Sequence, residues 1–197
     1  MNYLAHLLLA DNTDASRAGN LLGDFTRGKL EDLAEVYTPE VLRGIKMHRA
    51  VDRYTDSHPV FKECRLLLAP QRRRFAGIIV DIFFDYYLCK YWDDYSETPL
   101  EEFCQQVYEA FEKHPEWHAG RLSEAFPRMK SENWLMTYAT VEGIGLTLQR
   151  VSRRTSRVGG IADGIKDLKN HYSEFEEKFH LFMPELVAFV TDWKKSN

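Results

Sequence analysis

Residues 75–92 read FAGIIVDIFFDYYLCKYW. This stretch is apolar around nearly the whole circumference of a helix, which suits a helix at the centre of a bundle. It approaches the length of a membrane span. However, Asp81 and Asp85 would each cost about 2.5–3.5 kcal/mol at a bilayer centre, so no spanning helix is expected. Outward from it, prolines at 39, 59, 70, 99, 115, 127 and 184 punctuate otherwise uninterrupted helical patterns. The patterning predicts a first helix over 2–10 and a second from about Ser16, carrying Leu21, Leu22, Phe25 and Leu30 on one face. A third follows Thr38 as N-cap and ends by His58, because Pro59 disfavours helical backbone before it. Further helices are predicted over 99–113, 123–126, 131–153, 161–182 and 184–195. Two-residue alternation is scarce. The expectation is an all-α, single-domain helical bundle over residues 1–197.

Composition agrees with a packed domain. Apolar residues make up 44% and charged residues 28% of 197, which excludes disorder and a disulfide scaffold. A formal charge of -4 argues against general nucleic-acid binding. Cys64, Cys89 and Cys104 show no CxxC spacing, so a thiolate zinc site is not expected and a reducing, cytoplasmic setting is. The N-terminal MNYLAHLLLAD has no basic residue ahead of its apolar run, so no targeting segment is expected. Gly143-Ile-Gly145 lacks the strand and third glycine of a dinucleotide fingerprint, and no GxSxG, P-loop or HExxH occurs.

The informative residues are acids and histidines on apolar faces. His48, Asp52 and Asp56 in GIKMHRAVDRYTDSHP fall at i, i+4 and i+8 on one helix face. Asp81 and Asp85 repeat the i, i+4 spacing among apolar neighbours. His6 is embedded in LAHLLLA and Asp24 in GNLLGDFTRG. A buried carboxylate is unfavourable unless paired or bound to a metal, and helical bundles build metal sites from such inward groups. Each residue also has a plain structural reading. His6 can be a hydrogen-bonded core histidine, and Asp24 can pair with Arg27 or cap a turn at Gly23. His48 and Asp52 can form a surface pair, with Arg49 and Arg53 neutralising Asp52. Asp81 and Asp85 divide into one ligand and one structural acid, or serve as two ligands. The donor set, nitrogen and oxygen without thiolate, suits Mn, Mg, Fe or Zn. Arginines gather at Arg72–Arg74 and at Arg150, Arg153, Arg154 and Arg157. The second cluster suits a helix C-terminus; the alternative is recognition of phosphate or an acidic partner.

The segments MNYLAHLLLA, GNLLGDFTRG, GIKMHRAVDRYTDSHP, DIFFDYYLCKYW, ENWLMTY, VSRRTSR and FHLFMPEL occur in this order over nearly the full length. Together they resemble the bacterial acyl carrier protein phosphodiesterases, also called acyl carrier protein hydrolases, which are similar to HD-type metal-dependent phosphohydrolases. The resemblance implies an HD-like helical hydrolase that removes 4'-phosphopantetheine from the serine of holo-acyl carrier protein, with acyl carrier protein as partner. It implies Mn2+, or else Mg2+ or Fe2+, held by His6, Asp24, His48, Asp52 and Asp81. Asp24, Asp85 and His58 are the candidates for proton transfer, with Asp56 beside them. Arg27, Arg49, Arg153 and Arg154 are the candidates for substrate binding. Leu8 and Tyr86 stand where characterised members tend to carry histidine, and a further one falls near Tyr91. The alternatives are hydrolysis of a smaller phosphoester or nucleotide, and a non-catalytic helical module that binds the carrier.

Overall fold

The computed structural model describes residues 1–118, 120–153 and 160–197. Helices α1 (Tyr3–Leu9), α2 (Asp14–Leu22), α3 (Leu30–Leu33), α4 (Pro39–Ser57) and α5 (Pro59–Leu67) lead through a 3-10 turn, Pro70–Phe75, into α6 (Ala76–Lys90). There follow α7 (Leu100–Lys113), α8 (Arg121–Ser131), α9 (Val141–Arg153), α10 (Gly164–Asn170) and α11 (Tyr172–Ser196). No strand occurs among the described residues, and none of their helices is long and apolar enough to cross a membrane.

Helix α6 is the central element that its sequence predicts. Ile79, Val80, Phe83, Phe84, Tyr87 and Leu88 are buried on different sides of it, and it packs against α1, α5, α9 and α11. Phe83 meets Phe175 edge-on at 5.1 Å and Phe84 meets Phe179 at 5.8 Å, locking α6 to α11. The most extensive pairing joins α2 to α4. There Gly19 and Gly44 let the two backbones touch: a Cβ at Gly19 would lie 2.1 Å from the Val41 carbonyl oxygen.

Several boundaries differ from the sequence expectation. The second helix starts at Asp14, where the Thr13 side chain accepts from the Ser16 amide. Helix α5 restarts directly at Pro59, a residue suited to a first helical position. The predicted helix over 131–153 is broken. Asn133 takes a left-handed φ of 44°, a 3-10 turn spans Met136–Ala139, and α9 begins only at Val141. The 161–182 stretch divides at His171. Helix α11, in contrast, runs straight through Pro184. That proline is exposed, so water can satisfy the carbonyl it frees, while buried Phe182, Met183, Leu186 and Val190 hold the helix in place. Pro127 lies inside α8 in the same way, also exposed.

Candidate metal centre and active-site pocket

Four stretches of chain converge at the α2–α4 crossing. His48 on α4 lies against the turn that ends α2. Its Nδ1 is 2.7 Å from the Asn20 carbonyl, and a Cβ at Gly23 would fall 2.2 Å from its Cγ. The same turn carries Asp24. Helix α1 contributes His6, whose ring stacks on that of His48 with centroids 3.8 Å apart. Helix α1 has no side-chain cap of its own. Its Leu4 and Ala5 amides donate instead to Asp85 of α6, at 2.8 and 3.3 Å. One turn earlier on α6, Asp81 accepts from the Met1 α-amino group at 2.6 Å.

The Asp52 carboxylate closes the arrangement. One oxygen is 3.1 Å from His6 Nε2 and the other 3.0 Å from His48 Nε2. Met1, Asp24, Asp52, Thr55, Asp56, Gly77, Ile78 and Asp81 line a pocket of about 230 Å³ beside them. The structure thus brings His6, His48 and Asp52 into contact and sets Asp24 and Asp81 on the wall of the same hollow.

Other predicted residues stand elsewhere. Asp85 is fully buried behind the pocket and does not line it. His58 has its Nε2 3.1 Å from Glu185 and its ring against Tyr54 and Phe182, also outside the lining. Arg49 donates to the Gly28 carbonyl at 3.0 Å. Arg27 is exposed and makes no ion pair with Asp24 among the described residues, so the Asp24–Arg27 pairing is not formed there. Arg153 is exposed at the end of α9, and Arg154 and Arg157 lie outside the described residues. Arg150 pairs with Glu132 at 3.2 Å and lies over Trp134. Arg72 is no surface cation: it is buried, with a bidentate pair to Asp167 at 2.5 and 2.6 Å.

The electrostatics sort the cluster. Burial works to raise the Asp52 carboxyl, but hydrogen bonds from His48 and His6 outweigh it and hold Asp52 well below the usual carboxylate range. Burial, with His48 as a neighbouring cation, pushes His6 down to about 3. Burial opposes charge on His48 too, yet Asp52, Asp24 and the Asn20 carbonyl raise it above its ordinary value. Desolvation by the surrounding chain lifts Asp24 to about 6. The residue is nonetheless open to solvent on the pocket side, so screening tempers that shift. Burial also raises Asp81 against the pull of the Met1 ammonium.

This donor set fits a metal ion. His6, His48 and Asp52 each offer a ligand atom, all within 4.8 Å of one another. With its Nδ1–H turned to the Asn20 carbonyl, neutral His48 presents the Nε2 lone pair to the cluster, the tautomer a metal ligand needs. Both Nε2 atoms face oxygen acceptors, and buried His6 Nδ1 has no partner. A cation between the rings and the carboxylate answers that pattern. Leu8, Tyr86 and Tyr91 are not part of it. Leu8 lines a separate groove with Val187 and Val190, Tyr86 bonds Tyr172 at 2.8 Å, and Tyr91 bonds Glu176 at 2.6 Å.

One contributor escaped the sequence reading altogether. Arg65 on α5 pairs with Asp56 at the pocket edge.

Comparison with known proteins gives a consistent result. The family model described as acyl carrier protein phosphodiesterase matches residues 1–186. A protein named acyl carrier protein phosphodiesterase from Photorhabdus laumondii is 35% identical, over 95% of this chain and 93% of its own. One of the same name from Serratia proteamaculans is 34% identical over 98% of both chains. Another, from Escherichia coli O157:H7, is 35% identical over 95% of this chain and 96% of its own. No solved structure matches significantly.

Proposed function

Since the chain belongs to the acyl carrier protein phosphodiesterase family, we propose that it hydrolyses the phosphodiester joining 4'-phosphopantetheine to a carrier-protein serine, releasing the apo carrier. The observation that carries this reading is the convergence of two stacked histidines and Asp52 beside a pocket walled by Asp24 and Asp81. His6, His48 and Asp52, with Asp24 and Asp81, would hold a divalent cation, Mn2+ ahead of Mg2+ or Fe2+. Such an ion supplies Lewis acidity toward a phosphoryl oxygen and makes water more acidic.

The protein's own groups do the rest. The Asn20 carbonyl fixes the His48 tautomer, and Asp85 anchors the helix that carries His6. Asp24, open to solvent on the pocket wall, is placed to take the proton of the attacking water, in which case His6, His48, Asp52 and Asp81 would hold the ion without it. The water oxygen bonds to phosphorus, the bond from phosphorus to the serine oxygen breaks, and that oxygen takes up a proton. Of Asp85, His58 and Asp56, Asp56 lies on the pocket wall but is ion-paired with Arg65, so the reading has Asp24 pass to the leaving serine oxygen the proton it took from water. A cytoplasmic location belongs to the same reading.

The test is a gel-shift assay of holo-carrier conversion to the apo form. Conversion is expected with Mn2+ and loss of conversion after chelation. No conversion with Mn2+, Mg2+ or Fe2+ would overturn the reading.

A further inference from the structure

Acids line the pocket at positions 24, 52, 56 and 81. A phosphodiester is itself an anion, so this wall needs a fixed positive group where the non-bridging oxygens come to lie. The arginines that the sequence singles out make no bond to the pocket wall among the described residues. Among the described residues, the arginine that does is Arg65, through Asp56. Its guanidinium also lies against a second wall residue: a Cβ at Gly77 would sit 3.2 Å from Nη2 and 3.9 Å from Nε. Arg65 is not itself among the lining residues: it stands at the pocket edge behind Asp56 and Gly77, where the absence of a side chain at 77 leaves the guanidinium its place.

Arg65 is held but not used up. Its guanidinium carbon lies 5.0 Å from the centroid of the Phe61 ring, which fixes the plane. Of five N–H donors, the Asp56 bond engages Nη2, while Nε is buried and has no partner. That nitrogen is closed to a ligand, but 31% of the Arg65 side chain stays open to solvent. A planar fork with donors to spare suits two oxygens of one phosphoryl group.

Resting on the phosphodiesterase reading, we propose that Arg65 binds the non-bridging phosphoryl oxygens of the substrate in this pocket, with Asp56 and Phe61 orienting it and Gly77 leaving it room.

The experiment compares wild type with Arg65→Ala, Arg65→Lys and Gly77→Ala, all loaded with Mn2+. Arg65→Ala is expected to lose about 10²-fold or more in kcat/KM on holo-carrier. Mn2+ affinity and the helical far-UV signal should stay at wild-type values. Added guanidinium at low millimolar concentration should restore part of the Arg65→Ala rate and leave wild type unchanged, a rescue that a purely structural role would not produce. Arg65→Lys keeps the charge without the fork and should fall between. Gly77→Ala crowds the guanidinium and should lower the rate at unchanged Mn2+ affinity. Should Arg65→Ala fail to fold, Arg65→Lys and Gly77→Ala carry the test. A folded, Mn2+-loaded Arg65→Ala within about threefold of wild type, or no guanidinium rescue, overturns the proposal. Wild type inactive on the carrier overturns the phosphodiesterase reading instead. Arg65 is then judged by binding of inorganic phosphate to the Mn2+-loaded protein, which the Arg65→Ala variant should weaken at least tenfold. Equal phosphate binding by the two proteins would dismiss Arg65 as well.

Discussion

The His48 ring has almost no freedom of position. It is held between the Asn20 carbonyl and the backbone at Gly23, where an added Cβ would lie 2.2 Å from its Cγ. Gly23→Ala must therefore move the ring. The expected outcome is a loss of about 1–3 kcal/mol in stability from overpacking and about 10–100-fold in Mn2+ affinity, read by thermal unfolding and Mn2+ titration. Wild-type Mn2+ affinity in the folded variant would mean that the ring's position is immaterial. His6→Ala and Asp52→Ala remove proposed ligand atoms outright, so Mn2+ affinity should fall about 100-fold or more. Asp24→Ala and Asp81→Ala should each lower kcat by about 10²-fold or more while keeping the helical far-UV signal. Variants that keep full activity would give these acids a structural part only.

Helix α1 is seven residues long, and its N-terminal amides depend on a carboxylate from another helix. Burial pushes that carboxyl, Asp85, up to about 7 despite the Leu4 and Ala5 amides that favour its charge. The folded chain thus holds the Asp85 proton more tightly than the unfolded chain, whose aspartates titrate near 3.8. With more protons bound in the folded state, this group's contribution falls as pH rises from about 4 to about 7. The slope is at most about 1.4 kcal/mol per pH unit. Asp85→Asn retains an acceptor for the amides but has no charge to bury. Its stability relative to wild type should rise through that window and level off above about pH 7, as measured by denaturant unfolding at several pH values. A difference independent of pH would show that Asp85 does not change its proton on folding.

Charge is segregated across the molecule. The net charge is -4 and the pocket wall is acidic, yet Arg73 and Arg74 stand exposed just before Gly77 and Ile78 of that wall. A carrier with an acidic surface would meet favourable potential on that side. For wild type, kcat/KM on the carrier should fall as salt rises, since screening at physiological ionic strength acts within about 8 Å. Replacing Arg73 and Arg74 together by alanine should lower kcat/KM and flatten the salt dependence. A slope equal to wild type would remove this pair from steering.

The all-α class, the central helix and the pairing of His48 with Asp52 are legible in the chain because each depends on local spacing. An apolar run of helical length, or two groups four residues apart, has the same meaning in any surroundings. The convergence of His6, Asp24 and Asp81 was partly legible, because a polar group among apolar neighbours calls for a partner. Which partner it finds depends on how helices cross, and at Gly19 and Gly44 that rests on backbone contact between residues far apart in sequence. Asp81 and Asp85 show the limit. They share one helix and nearly one face, yet one lines the pocket and the other caps α1, because α1 ends between them in space. Arg65 reads as an ordinary basic residue on a short amphipathic helix until the bend at His58 folds it back onto Asp56. Pro127 and Pro184 signal helix ends locally, but both are exposed within continuous helices. Local spacing along the chain dictates which groups must be buried and along which helical faces. Which of them meet is set by packing between distant segments, whose separation along the chain carries no local signal.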